Sequence, residues 1–236
     1  MNLFCLPYAG ASYYSYRMLE NSIISDIHTR TLDLPGHGKR FKEVLISNIY
    51  EIADDLYHQI KQELIKPYAF YCHSMGSLIA YQLCLKIHHD NLLKPEHLFI
   101  SGHNAPSIPL HEQVKNVSNL SNMEFVNRLV QLGGIHDDVI KEKDLLDLFL
   151  PILRADFKAV ETYQYKQPEF LIDVPITVMI GTNDILTSYD GALCWKDFTG
   201  AEINIKEFSG GHFFIFDNWS DIARIIQTQL LNKKEM

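Results

Sequence analysis

The chain has 236 residues with 47% hydrophobic, 11% aromatic and 21% charged residues, enough apolar material for a real core and too much for a disordered chain. Twenty-one Lys and Arg against 29 Asp and Glu give a net charge of −8, which argues against a general nucleic-acid binder because phosphate binding needs concentrated basic surface. Cys5, Cys72, Cys84 and Cys194 form no CxxC pair or metal-ligand rhythm, and no HExxH occurs, so no metal or disulfide framework is expected.

The first charged residue is Arg17, and Pro7 and Gly10 interrupt the apolar start, so the N-terminus does not read as a secretory signal. The uncharged run that ends at Leu85 carries His73, Ser74 and Gln82 and is too polar to span a bilayer. A cytoplasmic protein with reduced thiols, no membrane association and a monomeric state is the expectation. Along the chain, short β-rich runs alternate with helical patterns. Asn2–Leu6, Thr29–Leu32, Ala69–Cys72, His97–Ser101, Ile176–Ile180 and Ile203–Phe208 read as strands, mostly continuous and apolar, which suits a parallel sheet buried on both faces. Ile49, Ile52, Leu56, Ile60 and Leu64 recur at helical spacing, and Met75–His89 and Ser220–Leu231 are similarly amphipathic. The order predicts one α/β domain over residues 1–236, a mostly parallel, doubly wound sheet with right-handed crossovers.

From Ala105 to Gln167 the rhythm breaks, with only helical patterns in view. Ser121 and Glu124 form a predicted capping box, and Pro151 is expected to kink or restart the helix over Lys143–Tyr165. Residues 105–167 are therefore expected to be a helical insertion over the C-terminal edge of the sheet, where α/β proteins bind ligands, the plainer alternative being two ordinary packing helices.

The strand Ala69–Cys72 runs into Cys72-His73-Ser74-Met75-Gly76 and then a helix. Strand, tight turn and helix are the setting of a nucleophile elbow, which presents Ser74 at the tip of a strained turn. The plainer alternative is a serine that caps the following helix. The elbow also predicts an acid and then a histidine beyond later strands. Asp184 follows Ile176–Ile180, 110 residues after Ser74, and His212 follows Ile203–Phe208, 28 residues later. Asp173, Asp190 and Asp33 are less suitably placed. The remaining histidines, His73, His88 and His89 among them, read as packing or helix-end residues. Backbone N–H groups of Met75 and of either Tyr8 or Ala9 are the candidate oxyanion donors, since the second donor comes from a loop after an early strand. In such a mechanism His212, oriented by Asp184, takes the Ser74 proton.

At these residues the sequence resembles the type II thioesterases of nonribosomal peptide and polyketide synthases, of the α/β-hydrolase superfamily. The likeness runs through LFCLPYAGAS near the start, LDLPGHGKRF at Leu32–Phe41, PYAFYCHSMGSLIAY at Pro67–Tyr81 and SGHNAP at Ser101–Pro106. It continues through FLPILRADFKAVETYQY at Phe149–Tyr165, PITVMIGTND at Pro175–Asp184 and FSGGHFFI at Phe208–Ile215. Cys72 and Ala11 stand where the family usually has glycines, and His37 where it often has arginine. The resemblance implies hydrolysis of acyl thioesters from the phosphopantetheine arm of carrier proteins, clearing misprimed or stalled modules, with no cofactor beyond the substrate's own pantetheine. It also implies a lid over an acyl groove, for which Phe125, Leu129, Leu146, Phe149 and Leu150 are candidate linings. Lys39 and Arg40 are candidates for receiving an acidic carrier protein, a transient partner. The competing expectations are a medium-chain fatty acyl thioesterase or carboxylesterase, and a catalytically silent binding module.

Overall fold

A computed structural model describes residues 1–135, 139 and 141–231. Six strands, β1 (Asn2–Leu6), β2 (His28–Thr31), β3 (Tyr68–His73), β4 (Leu98–Ser101), β5 (Ile176–Gly181) and β6 (Ile203–Phe208), form one sheet in the order β2-β1-β3-β4-β5-β6. Every pairing is parallel. The three central strands β3, β4 and β5 are buried along their whole length, because helices cover both faces. These are the runs that carry no polar alternation in the sequence.

Seven helices complete the domain. They are α1 (Arg17–Ser22), α2 (Ile49–Ile60), α3 (Met75–His89), α4 (Asn122–Gln131), α5 (Lys143–Glu161), α6 (Tyr189–Leu193) and α7 (Trp219–Leu231), counted among the described residues. On one face, Ile52, Leu56 and Ile60 of α2 and Ile79 and Leu83 of α3 pack on Phe4, Phe70 and Ile100. On the other, Leu19 of α1 and Ile222, Ile226 and Leu230 of α7 pack on Leu3, Tyr71 and Phe99. The residues of one strand alternate between the two cores, as a period of two requires.

The register aligns Leu6 with Cys72, His73 with Ser101 and Gly181 with Phe208, so five strands end along one edge. The strand order reverses between β1 and β3, and the loops after those two strands lie side by side. In an open α/β sheet that crevice is the place where ligands bind.

Between β4 and β5 the described residues hold helices and no strand, as the sequence predicts; residues 136–138 and 140 of the expected 105–167 insertion lie outside the described residues. The capping box is formed: the Ser121 hydroxyl accepts from the Glu124 amide, and the Glu124 carboxylate accepts from the Ser121 amide. The helix is not restarted at Pro151: α5 continues through it. Proline removes the hydrogen bond to the Asp147 carbonyl, but both residues are on the exposed side of the helix, where water can take that carbonyl.

Candidate active site

The turn after β3 holds Ser74 at φ 51° and ψ −120°, a conformation a serine does not adopt without compensation. The Ser74 side chain makes no capping bond to α3, so the helix-cap alternative does not describe it. Its Oγ lies 2.9 Å from Nε2 of His212 instead. Gly76 permits the tight turn: a Cβ there would come within 2.5 Å of the Leu6 carbonyl oxygen, at the end of β1. Cys72, where a glycine is usual, is inside β3 and fully buried, and its Sγ–H donates to the Phe99 carbonyl at 3.1 Å. Burial pushes that thiol well above its ordinary pKa, so it packs as a small neutral residue.

Asp184 sits on the turn after β5 and His212 on the glycine loop after β6. Nδ1 of His212 is 2.9 Å from Oδ2 of Asp184. A carboxylate only accepts, so Nδ1 carries the proton and Nε2 is left as the acceptor for the Ser74 hydroxyl. The carboxylate is itself held, Oδ1 by the Leu186 amide at 2.8 Å and Oδ2 by the Thr187 hydroxyl at 2.8 Å. Burial works to raise the Asp184 pKa, but the hydrogen bond and charge of His212, with those two donors, bring it below the usual carboxylate value.

His73 is fully buried. Its Nδ1 meets the Ser101 hydroxyl at 3.0 Å, and its ring lies 5.1 Å from that of His212. Burial first, and then the neighbouring His212, drive its pKa well below the ordinary histidine value. A neutral imidazole thus forms the wall behind His212, in line with the packing role expected for it.

The Ser74–His212 pair opens into a cavity of about 240 Å³. Tyr8, Ala9 and Met75, whose amides are the candidate oxyanion donors, line it beside Ser74 and His212; the lining is largely apolar, with Leu129, Leu153, Phe157 and Tyr163 among it. The arrangement supplies a hydroxyl beside a tautomer-fixed base, under an apolar chamber. That combination suits acyl transfer.

Comparison with known proteins agrees. The Thioesterase domain family matches residues 1–230. The chain belongs to the thioesterase family. The gramicidin S biosynthesis protein GrsT of Aneurinibacillus migulanus is 32% identical over 230 residues, covering 98% of this chain and 89% of that protein. The medium-chain S-acyl fatty acid synthase thioesterase of Rattus norvegicus is 28% identical over 228 residues, 95% of this chain and 86% of its own length. Among solved structures, the type II thioesterase BorB from the borrelidin biosynthetic cluster superposes with a TM-score of 0.86 at 29% identity, covering 97% of this chain and 92% of BorB. The α/β-hydrolase fold and the resemblance to type II thioesterases hold over almost the whole chain.

In this thioesterase the expected lining residues divide. Leu129 faces the cavity. Phe125 and Leu150, with Leu146 and Phe149 packed against them, instead form a small core between α4 and α5. An amphipathic helix announces an apolar face, but that face is shared between a neighbouring helix and the chamber. Arg40, a candidate for receiving a carrier protein, pairs its guanidinium with Glu43 and Asp55 and donates to the Asp33 carbonyl. The Lys39 ammonium lies 4.5 Å above the Tyr13 ring.

Other site residues carry no spacing signal in the sequence. His103 lines the cavity and places Nδ1 2.5 Å from the Asn104 carbonyl, and burial depresses its pKa to about 4. Asn104 accepts from the Ser188 amide and donates to the Leu186 carbonyl, tying the loop after β4 to the loop that carries Asp184. Among the described residues no group of three or more His, Cys, Asp or Glu could hold a metal, and no helix is long and apolar enough to cross a membrane.

Proposed function

We propose that this thioesterase hydrolyses acyl thioesters from the phosphopantetheine arm of carrier proteins of a nonribosomal peptide or polyketide synthase, with Ser74 as nucleophile. The 2.9 Å contact between Ser74 Oγ and His212 Nε2, lining an apolar chamber, carries the reading. His212 takes the hydroxyl proton as Oγ attacks the thioester carbonyl, while Asp184 steadies the resulting imidazolium. The Met75 amide and one from the Tyr8–Ala9 loop receive the oxyanion, each worth on the order of 3 kcal/mol. Collapse expels the pantetheine sulfur, which takes the proton from the His212 imidazolium and leaves His212 neutral for the second half; a thiol of pKa about 8.5 is an easier leaving group than an alcohol. Water, deprotonated by His212, then attacks the acyl-Ser74 ester and releases the acid. No cofactor takes part.

The synthase assignment is supported by GrsT, a gramicidin S biosynthesis protein, and by BorB, a type II thioesterase from the borrelidin biosynthetic cluster. Within it, clearing misprimed or stalled modules is the proposed role, with residues 105–167 as the lid over the acyl chamber. The rat relative supports a second reading, release of medium-chain acyl groups from a fatty acid synthase. Assaying acetyl- and decanoyl-carrier proteins beside a simple ester of equal chain length, with wild type and Ser74→Ala, tests both. Editing predicts turnover of short acyl carriers. Cleavage confined to decanoyl substrates selects the second reading, and turnover retained by Ser74→Ala removes Ser74 from the mechanism.

A further inference from the structure

Asp156 on α5 is fully buried, far from the Ser74–Asp184–His212 array in sequence and absent from its bonding. Its Oδ2 accepts the Gly10 amide at 2.7 Å and lies 3.0 Å from Nε2 of His37, which is 3% exposed. Nδ1 of His37 is in turn 3.0 Å from the Pro35 carbonyl. Opposite a carboxylate and a carbonyl, both ring nitrogens face acceptors, and a neutral imidazole has one N–H to give. An imidazolium paired with the Asp156 carboxylate satisfies both contacts. Among the described residues Oδ1 of Asp156 has no hydrogen-bond donor, so the buried charge depends on what reaches Oδ2.

Gly10 directly follows the Tyr8–Ala9 loop. It has φ +78°, and a Cβ on it would come within 2.5 Å of the Leu153 side chain of α5. The end of this loop is thus gripped from α5 twice, by Leu153 and by Asp156, and Leu153 and Phe157 of the same helix line the acyl chamber. We propose that Asp156 is a positioning residue that holds the oxyanion loop from the inserted helix through the Gly10 amide, and that protonated His37 keeps its carboxylate in place. The proposal rests on the catalytic reading of Ser74 given above. It makes the chamber wall and the oxyanion site one mechanical unit, competent only while His37 is charged.

The charged groups that face His37 are Asp156 from α5 and Asp33 from its own loop; the Asp33 carboxylate is held by the Tyr13 and Lys39 amides, and Arg40 is committed to Glu43 and Asp55. Burial opposes the imidazolium, but Asp156, the Pro35 carbonyl and Asp33 together raise the His37 pKa above its ordinary 6.5. A raised folded value means that the stabilisation is complete below the unfolded pKa and is lost as pH climbs through the folded one.

The test measures hydrolysis of an acetyl-pantetheine thioester from pH 5 to 10 by full-length wild type, Asp156→Ala and His37→Gln, together with the rate of Ser74 labelling by a fluorophosphonate. Asp156→Ala is expected to lower kcat at least about 10-fold, toward the roughly 100-fold cost of a lost oxyanion donor, with KM within about twofold. Wild type is expected to lose kcat on an alkaline limb that His37→Gln lacks, the variant running at the depressed rate throughout. A kcat for Asp156→Ala within twofold of wild type overturns the proposal. So does a wild-type profile flat from pH 7 to 10, or variants that lose only thermal stability while keeping the wild-type limb. Should wild type leave the thioester uncleaved, the substrate reading fails on its own. The labelling rates of the three proteins, which need no thioester, then decide the positioning role by the same criteria.

Discussion

The loops at the C-terminal edge of the sheet and the helices between β4 and β5 meet around one cavity, yet they are held by different forces. Ser74, Asp184 and His212 each follow a strand, two of them strands buried along their whole length, and each is locked by short hydrogen bonds to its neighbours. The helices between β4 and β5 have only a small core of their own, Phe125, Leu129, Leu150 and Leu153 with Val117, and Leu129 and Leu153 also line the cavity. Groups that transfer protons need fixed geometry to within fractions of an ångström, which a parallel sheet supplies. A wall that receives acyl chains needs shape and apolarity, which two helices supply. Chemistry and selectivity should therefore respond to different mutations.

The largest expected effect is at the sheet edge. Ser74→Ala is expected to reduce acyl-thioester turnover by roughly a millionfold with an unchanged unfolding transition, read by single-turnover hydrolysis and circular dichroism. Asp184→Asn should reduce kcat by about 10,000-fold, because Nδ1 of His212 loses the partner that fixes its tautomer. The same variant sharpens the comparison through stability. The depressed Asp184 pKa makes its contribution complete above the unfolded value and lost as pH falls through the folded one. Denaturant titrations should show wild type and Asp184→Asn converging as the pH is taken from 6 toward 2.

The insertion is expected to answer differently. Phe157→Ala should lower kcat/KM for decanoyl relative to acetyl substrates by roughly 10-fold while leaving acetyl turnover near wild type, whereas Phe125→Ala should cost about 3 kcal/mol of stability and shift chain-length preference less. Equal shifts in preference from the two would dissolve the distinction between chamber wall and helix–helix core. Smallest is Arg40→Ala, expected to cost about 1 kcal/mol or less through Asp55 and Glu43, with the KM for a carrier protein unchanged. A severalfold rise in that KM would place Arg40 on the docking surface.

Much of this contrast is legible in the amino-acid order. Ser74, Asp184 and His212 stand out because each comes just after an apolar run with turn residues beside it, and strand ends are where an α/β sheet exposes side chains to ligand. The helices of the insertion are legible from their periodicity, down to the Ser121–Glu124 cap. Pro151 misleads because a missing N–H matters only where the orphaned carbonyl is dry. Phe125, Phe149 and Leu150 mislead because period 3.6 says that a face is buried and not against what. The link from Asp156 to His37 crosses 119 residues, and nothing local in either segment signals it.

Read alone, the chain determines the alternation of strands and helices, the strand–turn–helix around Ser74, and the placing of Asp184 and His212 after later strands, because these depend on near neighbours and on the two short periods of regular structure. Tertiary structure alone decided which apolar side chains border the chamber, which cation is spent internally at Arg40, and that the amide after the Tyr8–Ala9 loop is held by a carboxylate on α5. Those outcomes turn on distances between segments far apart in sequence, and a carboxylate acquires its role from whatever donor the fold brings within 3 Å of it.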